Sequence, residues 1–495
     1  MLLQAFLFLL AGFAAKISAA VILGWARGYC NRRWDSPKST SEKKYFGINT
    51  VAIYNIESAV QRLPSRPRLH FFKVFSMPRY TFLTAALVGL ASAQSLLGTT
   101  PEVHPKLKTW KCTKAGGCKA VNSAIVIDAG SHGIRQKNNP SLGCGDFGST
   151  PPKSVCPDKE TCAKNCVMDG ISDYSALGVT TQGSSLRLDM LNSKGNEASP
   201  RVYLLAEDEK NYEMLKLTGN EFTFDVDTSK LPCGMNGALY LSEMAANGGR
   251  SKLNPGGATY GTGYCDAQCF VTPWINGEGN VKGQGVCCNE MDIWEANKAA
   301  TQIAPHTCSK NSIFGCTGDE CGASGLCDKN GCGDNPYNQR KSPDYYGPSK
   351  KVDTTKPFTV VTQFPAKNGV LQAIVRKYVQ NGKVIENAMM NLTMDQAFCT
   401  AQGATMYNKL GGHKGMGDAL SRGMVLALSI WWDKTGGMNW LDSGAAGPCS
   451  ATEGFPAEII KVEPRPTVTF SSIKWGEIGS TFKEQGSTKV PFTAL

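Results

Sequence analysis

The sequence predicts an all-β protein: two large antiparallel sheets packed face to face, with few and short helices. Three observations predict it. Strand-like apolar runs, alternating or continuous, recur through the body of the chain. Turn formers are abundant, with 53 glycines and 25 prolines among 495 residues. Charged residues make up only 19%, too few for long solvent-facing helices, while 41% hydrophobic residues allow a large core.

The N-terminal segment stands apart from this domain. "MPRYTFLTAALVGLASAQ" starts at Met77, with Arg79 as a short basic region, a mostly apolar run over 81–90 and an A-x-A cleavage signal at Ala91-Ser92-Ala93. Residues 77–93 are therefore expected to be a signal peptide and the mature chain to begin at Gln94. The apolar run is too short to span a bilayer. Residues 1–76 open with a second apolar stretch, broken by Lys16, and then lose periodicity. They are expected to be an upstream extension absent from the mature protein; a membrane anchor over residues 1–24 is the alternative.

Charge and cysteine both follow this division. Residues 1–93 hold 12 Lys+Arg against 3 Asp+Glu, and the other 402 hold 40 against 38, so the net +11 shrinks to +2 in the body. That leaves no nucleic-acid footprint there. Of 19 cysteines only Cys30 precedes residue 94, and the remaining 18 suit nine disulfides in an oxidising compartment. Cys265/Cys269 and Cys316/Cys321 have spacings that zinc sites also use, but the body has only four histidines. No metal and no cofactor is expected. Residues 94–495 read as one domain, with an ordered core of about 98–482 and a frayed tail.

Within the body, "EFTFDVD" (221–227) alternates Phe222, Phe224 and Val226 against polar neighbours. "FTVVTQF" (358–364) is β-branched and aromatic. "AIVRKYVQNGKVI" (373–385) places Asn381-Gly382 between two strand-like runs, the signal of a hairpin with a type I′ turn. "MVLALSIWW" (424–432) is continuously apolar, as in a strand buried on both faces, and "TVTFSSIKW" (467–475) alternates again.

The remaining strand carries the chemistry. "CCNEMDIWEAN" (287–297) mixes Glu290, Asp292 and Glu295 with apolar residues. Alternation puts Glu290 and Asp292 on one face and Met291 and Ile293 on the other. Glu295 has the wrong parity unless one extra residue near 293–294, a β-bulge, returns it to the first face. Neighbouring carboxylates on one strand face suit a retaining glycosidase, which needs a nucleophile and a general acid/base about 5–5.5 Å apart. A like-charged neighbour also keeps the acid protonated. A solvated acidic edge or a calcium site is the competing use of such a cluster.

The same stretch closely resembles the signature of family 7 glycoside hydrolases, the fungal cellulases. Similarity runs through about residues 98–482 and includes "VHPKL" (103–107), "LPCGMNGALYLSEM" (231–244), "YGTGYCDAQC" (260–269), "VDTTKPFTVVTQF" (352–364) and "MNWLDSGAAGPCS" (438–450). The resemblance implies a concanavalin-like jelly-roll sandwich with a long substrate cleft, secretion, and hydrolysis of β-1,4-glucan with retention. It implies a monomer whose partner is the polysaccharide. Glu290 matches the nucleophile, Glu295 the acid/base, Asp292 the carboxylate that orients Glu290, and His306 a histidine beside the acid/base. Arg201, Asn236, Tyr240, Tyr264, Asp266 and Gln268 match positions lining the cleft. Trp431 and Trp440 match tryptophans that stack glucose units, whereas Trp432 keeps a core reading. The implied disulfides are Cys112–Cys118, Cys144–Cys166, Cys156–Cys162, Cys233–Cys449, Cys265–Cys288, Cys269–Cys287, Cys308–Cys327, Cys316–Cys321 and Cys332–Cys399. Asn391 heads the one N-glycosylation sequon.

Short loops after Cys269 and Trp440, and the absence of leaving-side arginines in "NPYNQ" and "GAAGPC", imply an open cleft and an endoglucanase. A cellobiohydrolase and a non-catalytic lectin-like sandwich are the alternatives. One departure matters. Where most of the family reads close to "DANWRW", this chain reads "DAGSHG" (128–133), with Ser131 and Gly133 at the positions of two distal tryptophans and His132 in place of an arginine. Weak distal subsites follow, unless Trp110 or Trp274 substitutes.

Overall fold

Alternation becomes layering in the computed structural model, which describes residues 97–385 and 393–482. The expected signal peptide over 77–93, the expected extension over 1–76, Gln94, Asn391 and the tail beyond 482 lie outside the described residues. The longer strands are β1 (Lys106–Thr113), β2 (Gly117–Ile127), β3 (Arg201–Leu205), β4 (Asn220–Asp227), β5 (Met235–Ser242), β6 (Glu290–Ala296), β7 (Thr301–His306), β8 (Phe358–Gln363), β9 (Ala373–Gln380), β10 (Met424–Trp432) and β11 (Thr467–Glu477). Their hydrogen-bonded order is β7-β6-β5-β10-β3-β2-β1-β11-β4-β8-β9.

The two expected sheets are thus joined along a seam. β2 pairs with β1 from Gly117 to Ala124, and with β3 through Ala124–Ile127. From that seam the strands fold over into a jelly-roll sandwich with one core between the layers. Phe222, Phe224, Val360, Ile374 and Phe470 of one layer share it with Leu239, Leu241, Met291, Ile293 and Leu428 of the other. Trp294 crosses the core, its ring 5.8 Å from Phe358 and 6.0 Å from Phe224.

Sequence expectations and local geometry agree closely here. Asn381 and Gly382 both take positive φ, 53° and 73°, as a type I′ hairpin requires. β10 is buried along Met424–Ile430 on both faces. Its inner side chains enter the main core, and Val425 and Ala427 enter a second cluster with Tyr203 and Tyr240 on the outer face. The longest described helix, Gly412–Arg422, has 11 residues. All nine disulfides form as the resemblance implies, so the sulfurs of Cys265, Cys269, Cys316 and Cys321 are engaged with other sulfurs. None of the described helices is long and apolar enough to cross a membrane.

Candidate active site

The site grows out of β6, which is held at both ends. Asn289, just before it, donates from Nδ2 to Glu243 Oε2 (2.6 Å) and accepts the Cys308 N–H (2.7 Å). The bonds Cys265–Cys288 and Cys269–Cys287 staple the same end to the turn that carries Asp266. At the far end Asn297 donates to the Asp442 carboxylate (2.6 Å), which also accepts the Gly234 N–H (2.7 Å). Asp442 closes the short helix Asn439–Asp442 that bears Trp440, so this tryptophan is tied to the end of β6.

The bulge lies where parity requires it. Asp292 faces Ala304 of β7 and Glu295 faces Gln302, so Ile293 and Trp294 together oppose one residue, and the register against β5 shifts at the same place. Glu295 therefore joins Glu290 and Asp292 on the groove face. Asn236 donates to Glu295 Oε1 at 3.0 Å, and its own side-chain oxygen accepts the Ala296 N–H at 3.1 Å. The Ala267 N–H donates to Glu290 Oε2 at 3.0 Å. His306 stands opposite Glu290 in the register, with Nε2 3.0 Å from Asp292 Oδ2. Its Nδ1 lies 3.0 Å from the Asp328 carbonyl oxygen. That oxygen has no hydrogen to give, so Nδ1 carries one.

Burial controls the charges. Glu295 is pushed up to about 8, first by loss of hydration and then by Asp292, with His306 and Asn236 pulling the other way. Burial and the neighbours Asp292 and Asp266 raise Glu290, against the pull of His306 and the Ala267 N–H. Asp292 is raised by burial and by Asp266, and Asp266 by burial. Close acids titrate as a set and hold fewer charges than carboxyls.

The other expected residues extend the groove in both directions. Tyr240 and Tyr264 share a hydrogen bond of 3.1 Å between hydroxyls. The Arg201 guanidinium lies 3.5 Å from the centroid of the Tyr264 ring, and donates to Asp128 Oδ2 (3.1 Å) and the Tyr203 hydroxyl (2.9 Å). Burial alone would raise Asp128, but Arg201 and Tyr203 outweigh it and hold the carboxyl low. Asp266 Oδ1 accepts from the Gln268 and Cys269 amides (2.9 and 3.1 Å), and Gln268 donates from its side chain to the Lys329 carbonyl (2.9 Å). Trp431 sits opposite Asn236 and lies 6.4 Å from Trp440, the rings tilted by 26°. Trp440 is 43% exposed, whereas Trp432 packs against the core.

Arg201 and Tyr264 also line a cavity of about 330 Å³, together with Asp128, Ser131, Phe147 and Trp274 among others. Ser131 thus borders the cavity as its place in "DAGSHG" requires, while His132 is buried, with Nε2 3.1 Å from Glu102 Oε2. Trp110 lies elsewhere, on β1, between Lys108 and Lys474.

Sequence reasoning assigned no role to three groups that shape the site. Asp128 holds Arg201, and an acid ending the apolar run "AIVID" was its available signal. Lys329 donates to the Ala267 carbonyl at 2.7 Å and so fixes the turn whose N–H reaches Glu290. That N–H itself belongs to the backbone, and no residue type announces it.

A jelly-roll sandwich whose groove gathers buried acids between tyrosines and tryptophans defines a glycoside hydrolase. The chain belongs to glycosyl hydrolase family 7, whose profile matches residues 97–482. It is 57% identical over 413 residues to endoglucanase EG-1 of Humicola insolens, covering 81% of this chain and 94% of that one. The native structure of the Humicola insolens endocellulase EGI superposes with a TM-score of 0.77 at 58% identity, over 78% of this chain and 100% of that one. A family 7 cellobiohydrolase from Daphnia pulex matches at 36% identity with a TM-score of 0.71, over 78% and 99%.

Proposed function

We propose that residues 94–495 are the secreted catalytic domain of an endo-β-1,4-glucanase that cleaves internal bonds of β-1,4-glucan by double displacement. The observation that carries this reading is the bulged strand, which brings the buried Glu290 and Asp292 and the half-buried Glu295 to one face, where burial and Asp292 push Glu295 up to about 8.

In the first step Glu290 attacks the anomeric carbon and the bond to the leaving sugar breaks. The electron pair goes to the glycosidic oxygen, which takes the proton from Glu295. In the second step Glu295, now ionised, removes a proton from water, whose oxygen displaces Glu290 and restores the original configuration. Glu290 must be ionised to attack. The Ala267 N–H supports its charge, and Asp292 in turn lies 3.0 Å from His306 Nε2. Trp431 and Trp440 offer flat apolar faces to glucosyl units near the cleaved bond. Identity to the Humicola endoglucanase well above that to the cellobiohydrolase supports endo rather than exo action.

Proton NMR of the products tests the chemistry, with β-anomer expected first; initial release of α-anomer would mean inversion and refute the nucleophile. Viscometry tests the endo reading: substituted cellulose should thin before many reducing ends appear. N-terminal sequencing of the secreted protein should begin at Gln94, and a mature chain that retains Cys30 would overturn the processing.

A further inference from the structure

Arg376 sits where an apolar side chain is expected. It shares its face of β9 with Ile374 and Tyr378, both core residues, and is 6% exposed. No described ion pair joins it to a carboxylate. Its hydrogen bonds go to neutral groups. Nε donates to Thr362 Oγ1 (3.1 Å), Nη1 to the Tyr378 hydroxyl (3.4 Å) and Nη2 to the carbonyl oxygen of Ile293. A guanidinium stays charged at any working pH, and burying it without a counter-charge opposes folding. The reason for keeping it lies in what it touches.

Ile293 is in the bulge of β6. There the register slips against both neighbouring strands, between Asp292 and Glu295 on one side and opposite Tyr240 on the other. A bulge withdraws backbone groups from the ladder, and a buried carbonyl withdrawn from its ladder needs another donor. Arg376 supplies one from the opposite layer, with its guanidinium 5.8 Å from the centroid of Trp294, the second bulge residue.

We propose that Arg376 is a positioning residue for the general acid: by binding the Ile293 carbonyl across the core it holds the bulge that turns Glu295 into the groove. A strand without that brace relaxes toward regular alternation, which points residue 295 at the core. The proposal rests on the reading of Glu295 as acid/base, and the test separates the two.

The test measures kcat/KM, which reports the first step, for Arg376→Met and Glu295→Gln in the secreted enzyme. Two substrates are used: cellotetraose, whose leaving sugar needs a proton, and 2,4-dinitrophenyl β-cellobioside, whose leaving group does not. Arg376→Met should lose about 10²-fold on cellotetraose and less than about 3-fold on the activated glycoside. A purely structural role would lower both equally or move only the melting temperature, and either result overturns the proposal. Glu295→Gln must show the same discrimination. If it does and Arg376→Met does not, the proposal alone fails; if it does not, the acid assignment fails and takes the proposal with it. Arg376→Lys keeps the charge but loses the fork, and is read by the same ratio should Arg376→Met not be secreted folded.

Discussion

At the proposed catalytic centre each of the three acids of β6 stands on a strand, whereas the distal cavity is walled mostly by loops. Glu290, Asp292 and Glu295 are placed by register and one bulge, and β6 is bound at both ends by staples and buried hydrogen bonds. The cavity draws on residues 128–131, 145–147 and 272–277, with Arg201 and Tyr264 as the link between the regions. Strand register fixes where atoms lie to within a side chain's reach, which acid chemistry demands. Loops fix a surface, which is sufficient for stacking. The difference teaches that rate and chain-length preference in this enzyme are set by separate parts, and substitutions should separate them.

The largest effect is expected at the centre. Glu290→Gln should lower hydrolysis by about 10⁴-fold or more on oligosaccharides of every length, with secretion and melting temperature little changed. A loss confined to long substrates would blur the two regions. Next is pH. Hydrolysis of unactivated glucans should fall as pH rises through about 8, because Glu295 must carry its proton. A pH–rate profile with a dinitrophenyl glycoside should lack that limb in kcat/KM.

A smaller effect is expected at the cavity. Burying one sugar face on an indole contributes about 1–2 kcal/mol by its apolar area. Trp274→Ala should therefore lower kcat/KM for cellopentaose and longer chains by about tenfold while sparing cellotriose. Ser131→Trp should raise the long substrates selectively, since residue 131 borders the cavity. A gain that stops at short length in the wild type would mean that Trp274 does not replace the missing platforms.

The smallest effect concerns stability. Glu295 is raised to about 8 and Asp442 to about 6, both chiefly by burial. A carboxyl raised on folding contributes stability that is complete below its unfolded value, about 4, and is lost as pH climbs through the folded value. Thermal unfolding midpoints should accordingly fall from pH 4 to pH 8. Glu295→Gln should flatten the upper part of that slope, and Asp442→Asn the lower part.

The bulge of β6 was legible because acids in an apolar run demand an explanation, and because period-two alternation makes a parity error visible at Glu295. The hairpin at Asn381-Gly382 was legible because few residue pairs tolerate two positive φ values. The disulfide pairing came from family resemblance, since cysteine spacing alone leaves many connectivities open. Three kinds of feature escaped. Backbone donors such as the Ala267 N–H leave no mark in residue identity. Arg376 was given no role, although its parity with Ile374 and Tyr378 marks it as core-facing. The cavity required five separate stretches of chain, around 128–134, 145–147, 199–201, 261–264 and 272–277, to be brought together, which no local pattern encodes.

The paired staples at Cys287 and Cys288 have a further consequence for how this cleft can diversify. The segment between Cys269 and Cys287 leaves the catalytic turn, supplies Thr272, Pro273 and Trp274 to the cavity wall, and returns to a fixed point beside Glu290. Its two ends are bonded to each other, so a change of length between them leaves that junction closed. Insertions there would raise a roof and deletions would lower a wall, with the turnover machinery insulated from either change. In engineering terms the segment is a cassette: grafting a longer one should convert mid-chain attack toward chain-end processivity without retuning a single carboxyl.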